Sequence, residues 1–493
     1  MLSLNFNTLN LYFFSVPLFY MKMKILKVSQ FLNLEISLSL LNVIFMISLM
    51  FIFKNILKFS IIYMSKTLSF YYFKILMWLF CLSMMALLFS ENFLTLILSW
   101  EFLGITSYFL ILYYYNWNSM SGSKLTFISN RIGDIFIMTM FFLFSDIKMY
   151  AYLIVMILIM GVTKSSQFPF NSWLPAAMAA PTPVSALVHS STLVTSGFYL
   201  FFKFKMPMYN MIYKKIMLYM GILTMMIGSL SALLSKDIKK IIAFSTLSQL
   251  GLLMSSFYSL WLGLMMFHLL SHAFLKSFFF IMFGFSILNM YSQNLNKITS
   301  FYKMFFKMTM FYVMFLNFTS FFFTCMFVSK EILVSTIMMK KIFLFLIYFF
   351  ILIFTLLYMK RLYFIFLLKK FYFSFSFKFT SNFTYMNFKY FFIFNMFSLL
   401  WMSNILTYYC YFNYLNLVML LFLFFILMNF KFMNIYKYLN MINNMFCFIL
   451  MKAEYIIKEE YFILLMKFKM MIFLKNFFNK LPFLVLMLIF LSL

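Results

Sequence analysis

Long apolar runs separated by short polar interruptions make up most of this chain. One run extends from Ile342 to Met359 and is bounded by Lys341 and Lys360. At about 1.5 Å of rise per residue, it is long enough for a tilted or slightly thin membrane span. Similar runs predict segments near residues 8–20, 36–53, 70–90, 92–114, 128–145, 149–164, 173–203, 212–234, 240–257, 260–288, 304–328, 332–358, 386–411 and 413–430. Barrel strands alternate apolar and polar residues, and these runs do not, so the expected fold class is all-α. The pattern predicts a polytopic transmembrane helix bundle of about 14–15 helices. Residues 431–480 read differently. Lys452, Glu454, Lys458, Glu459 and Glu460 interleave with apolar positions there, which predicts an amphipathic helix lying along an interface or a partner. The last run, Pro482–Leu493, is too short to span alone and reads as a C-terminal anchor.

Composition strengthens the membrane reading. Hydrophobic residues are 66% of the chain and charged ones 10%, too few to cover a water-soluble surface. The net charge of +29 would point to nucleic acid in a soluble protein. Here the lysines gather in short loops and at segment ends, where they meet phospholipid headgroups, and no nucleic-acid partner is expected. Phe, Met, Tyr and Lys abound, Gly and Pro are scarce, and Arg131 and Arg361 are the arginines. That usage implies a very AT-rich gene and, with its Met excess, a mitochondrial code. The N-terminus shows no Arg-rich, Ser-rich transit signal, as expected of a chain made inside the organelle. Cys81, Cys325, Cys410 and Cys447 are far apart, and no CxxC, GxGxxG or P-loop motif occurs. Iron–sulfur, zinc, disulfide and nucleotide chemistry therefore find no support within the chain.

The glycines all lie between Gly104 and Gly284, and alanines concentrate between Ala176 and Ala186. Small residues retained there imply close backbone approach or broken helices. The same region holds ionisable residues inside apolar runs, each expensive to bury by about 2.5–3.5 kcal/mol on insertion scales. Glu101 is mid-segment with no partner at i±3 or i±4, so its partner must come from another helix. Lys164 closes one apolar run and precedes Pro169 and Pro175; read locally it is either a snorkelling lysine or a cation at a helix break. His189 follows the Ala-Pro-Thr-Pro stretch and is either an ordinary buried histidine or part of a relay. His268, His272 and Lys276 are spaced i, i+4, i+8 and share one helix face over about 12 Å. That face fits a proton relay better than a metal site, since no acidic third ligand is near in sequence. Arg131 and Asp134 can pair at i, i+3, and Lys330 with Glu331 separates two apolar runs.

At these residues the chain resembles the distal antiporter-like membrane subunits of mitochondrial NADH–ubiquinone oxidoreductase, respiratory complex I. The likeness runs from about Tyr63 to Glu331. It is densest from Thr163 to Gly197, and Trp100–Tyr108, Ser129–Asp134, Lys236–Gly251 and Ser329–Glu331 carry it further. The resemblance implies a proton path through Glu101, Lys164, His189, His268, His272, Lys276 and Lys330, with the energy arriving as altered charge at Glu101 and Lys164. Arg131, Asp134, Asp237, Glu331, Pro169 and Pro175 would support it. It also implies antiporter-like inverted repeats with broken helices, arranged as N-terminal membrane helices (1–62), a first repeat (63–235) and a second repeat (236–360). Additional membrane helices (361–430), the lateral amphipathic helix (431–480) and the anchor (481–493) would follow. Flavin, iron–sulfur clusters and the quinone site would belong to partner subunits, with no cofactor or metal in this chain. The neighbouring antiporter-like subunit would be the principal partner, in the mitochondrial inner membrane.

The sequence departs from the family in places. Phe322 and Met326 stand where relatives carry Pro and Gly before the Ser-Lys-acid motif, and Asn289 where they often carry His. No Gly or Pro occurs between Gly284 and Pro482, so the second helix break lacks its usual residues. The N-terminal helices, the lateral helix and the final helix are shorter than the family pattern. Two rival readings share these motifs: a cation/proton antiporter, and a purely structural membrane spacer.

Overall fold

In hydrocarbon the main chain must satisfy its own hydrogen bonds, and the apolar runs do so as helices. The computed structural model describes residues 21–27, 33–65, 67, 69–143, 150–204, 211–258, 262–290, 292–295, 314–320, 326, 329–330 and 342–368. The segments expected near 8–20, 386–411 and 413–430, the lateral helix at 431–480, the anchor at 481–493 and Glu331 lie outside these residues.

The helical class holds, with one small addition at its start. Strands β1 (Met21–Lys27) and β2 (Asn33–Leu38) form an antiparallel pair, with Met21 opposite Leu38 and Lys27 opposite Asn33. The sequence alternates there (Met-Lys-Met-Lys, then Leu-Glu-Ile-Ser), which is the period of a strand. The helix expected at 36–53 instead begins after Ser39, whose side chain accepts a hydrogen bond from the Asn42 amide at 3.3 Å.

From there helices follow one another: α1 (Leu40–Tyr63), α2 (Phe70–Phe89), α3 (Phe93–Leu112), α4 (Trp117–Leu143) and α5 (Tyr150–Lys164). The chain then breaks into one-turn α6 (Trp173–Ala176), a 3-10 turn (Ala177–Ala179), α7 (Thr182–Leu187), a π-helical turn (Val188–Thr192) and α8 (Leu193–Lys203). Helices α9 (Met211–Leu234), α10 (Ile238–Ser256), α11 (Leu262–Met290) and α12 (Ile342–Leu368) complete the described bundle. Six stretches among the described residues are long and apolar enough to cross a membrane: Leu41–Tyr63, Phe70–Phe89, Leu94–Leu112, Thr182–Lys203, Met211–Leu234 and Met265–Leu288.

Burial separates inner helices from outer ones. The hydrophobic window of Thr182–Lys203 is 100% buried and that of Met265–Leu288 is 83% buried, against 44–56% for the other four. The broken helix and α11 therefore form the axis, and α1, α2, α3 and α9 turn apolar side chains outward. Glycines set the closest helix crossing. A Cβ on Gly221 would meet the Gly251 carbonyl at 2.7 Å, and one on Gly228 would meet the Ser248 amide at 2.7 Å, so α9 and α10 pack backbone to backbone.

The last described helix runs past its expected end at 358. Helix α12, described from Ile342, continues through Lys360 and Arg361 to Leu368, across the boundary expected at 360/361. Arg361 is able to sit inside a helix because it is buried against the end of another. Its Nη1 donates to the carbonyls of Leu233 and, at 3.0 Å, Ser235. Those carbonyls at the C-terminal end of α9 lack intrahelical partners and carry partial negative charge.

Candidate functional site

Helices α3, α4 and α5 gather the first group of ionisable side chains. Glu101 lies on α3, and its partner comes from α4: Nη1 of Arg131 donates to Oε2 of Glu101. The same Nη1 is 3.4 Å from Oδ2 of Asp134, one turn along α4. Arg131 also stacks over Phe127, 4.8 Å from the ring centre. This group opens to the outside of the bundle, since the side chains of Arg131 and Glu101 are 40% and 22% exposed.

Lys164 behaves differently. It ends α5 fully buried, and Nζ donates to the Trp100 carbonyl at 2.9 Å while lying 4.0 Å from the Trp100 ring centre. Trp100 directly precedes Glu101, so Lys164 docks beside the acid without pairing with it. Among the described residues Lys164 makes no ion pair. In place of a direct Glu101–Lys164 contact the structure has Glu101–Arg131 and Lys164–Trp100.

The chain leaves helical geometry just after Lys164. Ser166 has φ 53°, and the Gln167 amide bonds back to the Val162 carbonyl at 3.1 Å. Pro169, whose peptide bond with Phe168 is cis, and Pro175, inside α6, lie in the connection that follows. Trp173 ties this connection back, donating from Nε1 to the Thr163 carbonyl at 3.0 Å. Its ring centre is 6.2 Å from that of His189.

His189 sits in the π-helical turn. Such a turn carries an extra residue and loosens the local hydrogen-bond ladder. Hydroxyls fill the gap: Thr192 and Ser191 both bond to the Leu187 carbonyl, at 2.8 and 3.1 Å, and Ser190 bonds to Ala186. The local strain is thereby satisfied without the imidazole. His189 is fully buried, and its ring nitrogens complete no hydrogen bond among the described residues.

The second group lines α11. His268, His272 and Lys276 are all fully buried. His268 Nδ1 lies 2.7 Å from the Ser329 hydroxyl, and Lys276 Nζ donates to Oγ of Ser245 on α10. Lys276 also lies 4.5 Å from the Phe318 ring centre, and Lys330 donates to the Phe318 carbonyl at 2.7 Å. That carbonyl precedes a turn at Thr319–Ser320 where Ser320 takes φ 53°. A helical ladder is thus interrupted here too, by a left-handed serine in place of Pro and Gly. The buried nitrogens His272 Nδ1, His272 Nε2 and His268 Nε2 complete no hydrogen bond among the described residues, which marks places that water satisfies in native proteins.

Asp237 does not join either group. It occupies the N-cap position of α10 without a side-chain capping bond, is partly exposed, and pairs with Lys240 at 3.4 Å. Sequence reasoning missed its neighbour. Lys239 is 3% exposed and donates to the Ala180 carbonyl at 3.0 Å, where the broken helix approaches Pro181. The available signal was periodic: Lys239, Ile242, Ala243 and Thr246 fall on one helix face, and all are buried. Ser245, Tyr358 and the capping role of Arg361 were also missed. Among the described residues no cluster of His, Cys, Asp and Glu has the makings of a metal site.

Broken helices at the core of a membrane bundle, with cations held on main-chain carbonyls at the breaks, are the arrangement that membrane transporter folds use around their sites. The transmembrane family model of NADH:quinone oxidoreductases and Mrp antiporters matches residues 90–355, and the chain belongs to that family. It is 40% identical over 266 residues to NADH-ubiquinone oxidoreductase chain 5 of Ascaris suum, covering 52% of this chain and 48% of that one. It is 41% identical over 268 residues to the Caenorhabditis elegans chain 5, with 52% and 50% covered. The chain thus spans about half the length of these curated relatives. Among solved structures, the Mrp complex from Dietzia sp. DQ12-45-1b matches with a TM-score of 0.64 at 24% identity, covering 72% of this chain and 42% of that one. The membrane-bound sulfane sulfur reductase, an archaeal respiratory complex, matches with a TM-score of 0.66 at 15% identity, covering 79% and 86%. These two likenesses concern the fold.

Proposed function

We propose that this chain is a proton-translocating membrane-arm subunit of a respiratory NADH:quinone oxidoreductase in the mitochondrial inner membrane. The observation that carries the reading is the burial of Lys164, His189, His268, His272, Lys276 and Lys330 inside one bundle, beside two interrupted helices. Residues so expensive to keep in hydrocarbon have a use when they exchange protons. In this reading Glu101, Lys164, His189, His268, His272, Lys276 and Lys330 form the path. Arg131 and Asp134 set the charge around Glu101. Family membership and the chain 5 relatives support the assignment to a respiratory complex, and the AT-driven composition supports the organelle.

Electron transfer, with its flavin, iron–sulfur clusters and quinone, takes place in partner subunits, and the chain acts as a subunit of the reductase with no redox centre of its own. The neighbouring antiporter-like subunit and phospholipids cover the outer faces. The energy input is a change of charge near Glu101. Because Trp100 and Glu101 are adjacent on α3, Lys164 exchanges a carbonyl for a carboxylate partner through a side-chain movement. Moving one proton against 100 mV costs about 2.3 kcal/mol. A pair of charges 4 Å apart at an effective dielectric of about 20 interacts by roughly 4 kcal/mol, enough to cover it.

Lys164→Met tests the reading in the assembled complex. The ratio of protons moved to electrons transferred is expected to fall, while NADH oxidation with an artificial acceptor persists. An unchanged ratio would reject the role.

A further inference from the structure

A second line of hydroxyls leaves the main axis at Lys276. Its first member is Ser245 on α10, which accepts from Lys276 Nζ and also donates to the Ile242 carbonyl at 2.7 Å. The phenol of Tyr358, from α12, is buried and faces the hydroxyls of both Ser245 and Ser248. Ser248 is buried on the same helix and donates to the Ser245 carbonyl at 3.0 Å. Further along, Tyr348 on α12 and Ser255 on α10 lie opposite one another. The Tyr348 hydroxyl is fully buried, yet it completes no hydrogen bond among the described residues. Tyr348 and Tyr358 are about 15 Å apart along α12 at 1.5 Å per residue. Along this seam the tyrosine numbers fall as the serine numbers rise, so the line follows two helices running in opposite directions.

A buried Tyr normally needs one partner for its hydroxyl. Tyr358 has two hydroxyls facing it, and one of them accepts from the Lys276 ammonium. Oxygens in such a row each accept a proton on one side and release their own on the other. We propose that Tyr358 is a proton-relay residue of this chain. In the step, the N–H bond of protonated Lys276 breaks as an O–H bond forms at Ser245. As the Ser245 hydroxyl turns from the Ile242 carbonyl its original proton passes to the Tyr358 oxygen, the Tyr358 proton passes to Ser248, and Ser248, turning from the Ser245 carbonyl, releases its own proton to the next acceptor. Each oxygen ends with the number of protons it began with, and one proton has moved from Lys276 past Ser248. No oxidant or reductant takes part. The buried Tyr348 hydroxyl and Ser255 extend the line beyond Ser248, with water as the bridging species.

This inference rests on the proton-translocating reading, and the test separates the two. Tyr358→Phe removes one oxygen and leaves the packing intact. In the assembled complex, with subunit content matched, it is expected to lower proton translocation severalfold. Ser245→Ala is expected to lower it equally, and the double variant no further, because both interrupt one line. A structural role would not produce the second readout: the infrared band of the phenol C–O bond, assigned by tyrosine labelling, shifts during turnover in the parent and loses that component in Tyr358→Phe. If Lys276→Met stops translocation while Tyr358→Phe pumps at the parent rate, the relay is overturned and the broader reading stands. If both variants pump at the parent rate, the broader reading falls and the relay with it.

Discussion

Several buried cations among the described residues rest on main-chain carbonyls. Lys164 uses the Trp100 carbonyl, Lys239 that of Ala180, Lys330 that of Phe318, and Arg361 those of Leu233 and Ser235. A carbonyl partner holds a lysine in place without fixing its charge, which suits a group that must gain and lose a proton. It also leaves an acceptor behind when the lysine is removed. Lys239→Met should therefore strand the Ala180 carbonyl and destabilise the chain by about 1–3 kcal/mol. Lys239→Gln, which keeps a donor, should recover part of that loss. Thermal unfolding of the detergent-solubilised complex measures both, and equal midpoints for the Lys239→Met variant and the parent would contradict the role assigned to this lysine. The sequence marked Lys164 and Lys330 because they lie next to breaks or motifs. Lys239 lay inside a charged run that reads as a loop, and only its helical spacing with Ile242 and Ala243 gave it away.

Some helix limits were legible and others were not, since the segments read at 36–53 and 128–145 are Leu40–Tyr63 and Trp117–Leu143. The segments read at 70–90 and 149–164 correspond to Phe70–Phe89 and Tyr150–Lys164. Charge misled where a second helix supplied the partner: Lys360 and Arg361 read as the end of a span, yet they lie within α12. The β1–β2 pair was overlooked because its alternation is short and adjoins a long apolar run. Glycine retention did point to tight packing, and the structure locates it. A Cβ on Gly251 would lie 2.7 Å from both the Gly221 carbonyl and the Met225 side chain, whereas one on Gly104 would meet nothing within 4 Å. Gly251→Ala is expected to cost about 1–3 kcal/mol through overpacking. Gly104→Ala should be neutral or stabilising by up to about 1 kcal/mol, because Ala is the better helix former. Paired melting curves of the two variants test the contrast, and similar losses in both would show that packing at α9 and α10 does not control stability.

Taken whole, the molecule is organised from the inside out. The broken helix carries His189, α11 carries His268, His272 and Lys276, and Lys164 enters the core from the end of α5, while the outer helices expose large apolar side chains such as Ile47, Leu82 and Phe102. That surface predicts a chain that stays with the membrane pellet after alkaline carbonate washing and is released only by detergent. Release into the carbonate supernatant would contradict a spanning arrangement. Buried charge is costly enough to be conspicuous, so the sequence singled out Lys164, His189, His268, His272, Lys276 and Lys330, which are buried. It did not reveal which acid meets which base. Glu101, Arg131 and Lys164 all lie near one another, and only the three-dimensional arrangement of α3, α4 and α5 shows that the guanidinium takes the carboxylate.

The widened turn at Val188–Thr192 has a consequence for heredity as much as for chemistry. An i→i+5 bond stacks five residues where an α-helix stacks four, so this turn takes up one residue without changing the phase of α8 against α7. Loss of one codon beside that of His189 would let the turn close as ordinary α-helix and would leave Tyr199 on Asn42 and the Leu88 carbonyl. The same loss within the regular helix that follows has no such slack and would turn what lies beyond it by about 100°.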